Sequence, residues 1–149
     1  MGIFSFSVYI NSPQEKVFDF LTDPSNLSKW NSTFEAAKWT SDDAPEVGSK
    51  YQVSAKLLGR HKEGFFEIIH WDRPVQYGYQ MVTTFFPIKS LETIITMERK
   101  DQGTLTTFSS SFAIARALQF AEGFFTRMGE KQDKINLEKA KKILELNNH

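Results

Sequence analysis

The C-terminal stretch constrains what the rest of this chain can be. From about Arg116 to Leu146 the residues follow a helical period, and Phe124, Phe125, Met128, Ile135, Leu137, Ala140, Ile143 and Leu144 form a broad apolar stripe. The charges take the other side, with Glu130 and Lys134, then Glu138 and Lys142, at the i,i+4 spacing of a solvated helix face. Such a stripe has to lie against something. The only other surface in the sequence large enough to cover it is a sheet.

The strands for that sheet are legible by alternation. "IFSFSVYI" reads as a first strand, and six further runs follow: "FEAAKWTS", "SKYQVSAKLL", "HKEGFFEIIHW", "VQYGYQMVTT", "IKSLETIITMER" and "TLTTFSSSFAI". Short connectors between the six predict an antiparallel meander. Between the first strand and the others stands "SPQEKVFDFLTDPSNLSKW". Ser12 is placed as an N-cap, Pro13 at the first helical position and Glu15 as the partner in a capping box. Val17, Phe18, Phe20 and Leu21 give that short helix a buried side, Asp23-Pro24 stops it, and a second short helix ends at Trp30. With no repeat, linker or low-complexity tract, one domain spanning residues 1–149 is expected.

The order of elements and three stretches resemble the helix-grip fold of the START-like (SRPBCC) superfamily, which includes polyketide cyclases and dehydrases, lipid-transfer proteins and birch-pollen-allergen-like binders. The opening stretch carries most of the likeness, in Pro13, Val17, Phe18, Leu21, Asp23 and Trp30. "DRPVQYGY" is a second echo, with Arg73 where a first proline is common, and "GTLTTF" is a third. The resemblance implies an α+β fold: a seven-stranded curved antiparallel sheet, two short helices after the first strand, and a long C-terminal helix gripping the sheet. It also implies a hollow between sheet and helix, with Trp30 packed beneath the two short helices.

Bulk composition excludes several classes. The 18 basic and 18 acidic residues cancel, so no net field draws the chain to nucleic acid or anionic membrane. No stretch is long and apolar enough for a transmembrane segment, the start lacks a signal-peptide pattern, and cysteine is absent. A cytoplasmic protein is therefore expected. His61, His70 and His149 have no metal-ligand spacing, phosphate-cradling glycine motifs are missing, and no cofactor is expected. The 14 phenylalanines are the one unusual count, and they suit either a rich core or a lined pocket.

In a meander, alternate connectors share one end of the sheet. "SDDAPEVGS", "DRPVQ" and "RKDQG" are polar; "LLGR", "TTFFPIK" and "IARALQF" are not. Leu57, Leu58, Phe85, Phe86 and Phe120, with Pro87 and Leu118, are thus expected at one apolar end, as the rim of an opening or a docking surface. Gly123 and Gly129 interrupt the long helix there, each at a cost of about 1 kcal/mol against alanine.

The family register implies an inward set of Phe66, Ile68, His70, Tyr77, Tyr79, Met81, Leu91, Thr93, Ile95, Met97, Thr106, Phe108, Ser110 and Phe112. From these, with Trp30, Phe124 and Met128, a ligand-binding wall is expected, aromatic and aliphatic with a few polar anchors. His70 is the candidate general base, and Tyr77 and Tyr79 are candidate hydrogen-bond donors. Glu67 and Glu92 fall on the outer parity, so no inward carboxylate pair stands out. Binding or transport of a hydrophobic small molecule, lipid or polyketide-like, is the leading expectation, in a non-catalytic protein. A cyclase/dehydratase-like enzyme using His70 and the tyrosines is the alternative. A protein- or membrane-interaction module using the apolar end is the third, and monomer and homodimer both stay open.

Overall fold

The computed structural model describes residues 1–57 and 59–147, with only the backbone of Leu57. Among the described residues, seven strands form one curved antiparallel sheet: β1 (Gly2–Ile10), β2 (Phe34–Trp39), β3 (Lys50–Leu57), β4 (Arg60–Asp72), β5 (Gln76–Met81), β6 (Ile88–Lys100) and β7 (Gly103–Ile114). Their order, β1-β7-β6-β5-β4-β3-β2, puts the first two strands at opposite edges. This explains the interruption after β1: α1 (Gln14–Thr22) and α2 (Leu27–Trp30) carry the chain from one edge to the other. A 3-10 turn, Arg116–Ala121, leads from β7 into α3 (Glu122–Leu146), which lies across the inner face.

The start of α1 departs from the expected capping box. Pro13 occupies the cap position and no side chain caps the helix. Ser12 is drawn into the sheet instead. Its carbonyl accepts a 2.8 Å hydrogen bond from the Thr104 hydroxyl, and its own hydroxyl is buried without a partner. Asp23, just past the end of α1, caps the 3-10 turn Pro24–Asn26, its carboxylate accepting from the Ser25 amide at 2.9 Å. Arg73 fastens α1 to the β4–β5 turn through a two-pronged pair with Asp19, at 2.8 and 2.9 Å. That guanidinium holds the Asp19 carboxyl below its usual range.

One irregularity decides which way β4 faces. Ile68 pairs with Tyr79 but His70 pairs with Gly78, so Ile69 is an extra residue in the strand. Before the bulge Phe66 and Ile68 face inward; after it Trp71 does, opposite Tyr77. His70 therefore lands on the outer face. A Cβ on Gly78 would come within 2.8 Å of His70 Cδ2, so the close approach of the imidazole requires glycine there. The expected inward position of His70 is corrected by this one-residue insertion.

The interior differs between its two ends. Toward the polar connectors it is solid: Ile10, Val17, Phe18, Ile95, Met97 and Leu137 are each at most 1% exposed. Phe18 meets Trp71 edge-on at 5.1 Å and Tyr77 at 6.4 Å. The second half of α3 covers this end with Leu137, Ala140 and Leu144. The first half covers the other end, and there packing stops short.

Candidate functional site: a pocket under the first half of the long helix

A pocket of about 370 Å³ opens between α3 and the apolar-connector end of the sheet. Strands supply its walls at their ends nearest those connectors: Phe4 from β1, Phe66 and Met81 from β4 and β5, Leu91 from β6, and Ser110, Phe112 and Ile114 from β7. Phe34 and Thr33 close it at the β2 edge. From the β5–β6 connector Phe85 turns inward and is only 4% exposed. Strand alternation makes this possible, because every second residue near those strand ends must face the helix.

The roof explains why the space is unfilled. Phe125, Met128, Gly129, Gln132 and Asp133 are the α3 residues that line it. At 3.6 residues per turn, Asp133 shares its direction, to within about 20°, with Ala140 and Leu144, which are buried farther along. The inward face of α3 thus changes from apolar to small and polar as it passes over the pocket. Gly129 offers no side chain, and a Cβ there would first meet the Phe4 ring, at 3.5 Å. Ile135, expected in the buried stripe, is instead 49% exposed.

Asp133 is the group that the sequence reading missed. Asp133 keeps part of its surface open to solvent, but desolvation at the pocket wall pushes its carboxyl up from 3.8 to about 7, while the neighbouring Asn136 favours the charged form and pulls the other way. Gln132 Nε2 donates to Ser32 Oγ at 2.8 Å and to Asn136 Oδ1 at 3.0 Å, which ties this part of α3 to the chain just after α2. Asn136 Nδ2 is buried and completes no hydrogen bond, so it favours the Asp133 charge as a nearby dipole rather than as a bonded donor. On the sheet side, burial pushes the Tyr79 hydroxyl up and the negative charge of Asp133 adds to this, so Tyr79 stays neutral. Tyr51 and Tyr77 are likewise raised, chiefly by burial.

The expected site residues divide accordingly. Phe66, Met81, Ser110, Phe112 and Met128 line the pocket, as does the rim residue Phe85. Trp30, Ile68, Tyr77, Thr93, Ile95 and Phe108 are buried away from its walls, and Tyr79 packs against the core beside them. Phe124 is 57% exposed, and its neighbour Phe125 takes the place in the wall. His70 is on the far side of the sheet. Phe86 and Phe120 are 60% and 86% exposed at the apolar end, where the two connectors are joined by a 2.7 Å bond from Ala115 N to Pro87 O. Leu58 and His149 lie outside the described residues, as does the side chain of Leu57. Among the described residues no helix is long and apolar enough to cross a membrane.

Solved structures share this architecture at low identity. The di-domain aromatase/cyclase BexL from the BE-7585A biosynthetic pathway superposes with a TM-score of 0.77 at 9% identity, over 95% of this chain and 45% of that one. This chain thus spans about half the length of that di-domain protein. Zhui aromatase/cyclase from Streptomyces sp. R1128 gives 0.80 at 13% identity, covering 96% and 93% of the two chains. Ara h 8.0201 gives 0.72 at 15%, covering 95% and 96%. No curated protein sequence matches the chain. The family model for polyketide cyclase / dehydrase and lipid transport matches residues 1–145, and with nearly the whole chain covered, this protein belongs to that family, in its helix-grip fold.

Proposed function

We propose that this protein binds a hydrophobic small molecule in the pocket under α3. The observation that carries the reading is the pocket itself: about 370 Å³ of unfilled space with walls that are mostly phenylalanine and aliphatic side chains. Ligand pockets are commonly about 300–1,000 Å³ and apolar with a few polar groups. This one stands at the small end, which favours a compact ring-bearing molecule over a long acyl chain. Acid–base chemistry through His70 has no geometric support, because the imidazole and the pocket lie on opposite faces of the sheet.

Filling the space from the roof tests the reading. Gly129→Leu adds a side chain where only the Phe4 ring is near, so the protein should fold with an unchanged or raised melting temperature. Its affinity for an uncharged apolar fluorescent probe, N-phenyl-1-naphthylamine, should fall at least ~10-fold, by steric exclusion from a preformed pocket. Unaltered binding of the neutral probe to a folded variant would place the ligand elsewhere.

A second reading rests on Phe86 and Phe120, exposed together at the end where the pocket opens. Paired apolar tips suit docking onto a partner or bilayer from which a ligand is loaded. Phe86→Ser with Phe120→Ser should then slow ligand transfer from vesicles several-fold and leave affinity for a ligand added in solution unchanged. Equal transfer rates would remove this reading.

A further inference from the structure

The pocket carries charge of one sign only. Among the described residues, Asp133 is the only acidic side chain in the lining, and no lysine, arginine or histidine lines the pocket. Around it stand the rings of Phe4, Phe34, Phe66, Phe85, Phe112 and Phe125. We infer that the pocket takes a small amine as its protonated cation, the ammonium on Asp133 and an apolar body among these rings. The inference rests on the pocket-binding reading and adds the class of ligand.

Three features support it. A carboxylate bearing no bound cation is expensive in an apolar space, and an ammonium brought by the ligand removes that cost by pairing with it. Phenylalanine faces attract cations, most strongly where water is excluded. A carboxylate ligand, such as a fatty-acid anion, would meet like charge with no basic side chain to offset it. Within the protein, Asn136 already favours the ionised form of Asp133. Gln132, the other polar neighbour on α3, is committed to Ser32 and Asn136 through its amide nitrogen. From the sheet the titratable group beside Asp133 is Tyr79, which stays neutral and does not compete for the cation.

A matched set of probes tests the assignment: 4-phenylbutylamine, 4-phenylbutan-1-ol and 4-phenylbutanoate, titrated calorimetrically at pH 8.5 and pH 5.5. At pH 8.5 the amine should bind at least ~10-fold more tightly than the alcohol, and the carboxylate weakest, as charge complementarity requires. Because the amine needs the ionised carboxylate, its affinity should fall by up to roughly 30-fold at pH 5.5, while that of the alcohol changes little. Asp133→Asn should bring the amine down to the level of the alcohol and leave the alcohol unchanged. An alcohol or carboxylate that binds as well as the amine at pH 8.5 overturns the amine assignment and leaves the pocket reading standing. So does an amine affinity indifferent to Asp133→Asn. Failure of all three probes to bind overturns both.

Discussion

Phe18→Ala should cost about 3–5 kcal/mol, enough to lower the melting temperature by roughly 10 °C in a domain of this size. The ring is fully buried, with Trp71 and Tyr77 edge-on to it and α1 anchored over it by the Arg73–Asp19 pair. Those neighbours are themselves held by the sheet and cannot collapse into the space. Phe85→Ala is the contrast. Phe85 is nearly as buried, but its ring borders the pocket, so truncation enlarges an existing space rather than creating an enclosed void. Only the transfer contribution is lost, and a cost of about 2 kcal/mol is expected. Urea unfolding of both variants with unchanged m-values measures the difference. Equal losses would mean that the apolar end is packed as tightly as the polar end, and the distinction between a solid and a hollow half would fail.

That distinction was half legible in the sequence. Period-2 alternation located all seven strands because the outer face meets water and the inner face does not, and the alternating polar and apolar connectors sorted the two ends. What alternation cannot register is an inserted residue. The bulge at Ile69 leaves the pattern of β4 looking regular while it turns His70 outward, and only the pairing of His70 with Gly78 reveals it. The long helix failed for a different reason. Reading its face by apolar residues alone assigned Phe124 and Ile135 inward, when the face is set by phase: Phe125, Gly129, Asp133, Ala140 and Leu144 follow one another around the same side. A polar residue in phase with Ala140 and Leu144 was visible in the sequence. Its meaning was not, since a helix polar on its inward side makes sense only once the sheet beneath it is seen to stop short.

Asp133 should also make the protein less stable as pH rises, the reverse of the usual behaviour of a carboxylate. The folded-state value of about 7 exceeds the 3.8 of an unperturbed aspartate. Between those values the folded chain holds a proton that the unfolded chain has released, so each step up in pH favours unfolding. Below the lower value both states are protonated and the effect is absent; above the upper value it is complete. At 1.36 kcal/mol per pH unit it amounts to at most about 4 kcal/mol. Other carboxyls oppose it. Asp19, held down by Arg73, and Glu145, held down by Lys141, favour the folded state more as their protons leave, at lower pH. Subtraction isolates Asp133: asparagine has nearly the same shape and no charge, so the melting-temperature difference between Asp133→Asn and the parent should be small at pH 4. It should widen through neutrality and level off by about pH 8, the variant then being the more stable by up to roughly 10 °C. A difference that stays flat from pH 4 to pH 8 would mean that the carboxyl is solvated in the folded protein. An added amine that occupies the pocket should narrow the gap at pH 8, since pairing removes the penalty that the bare carboxylate imposes.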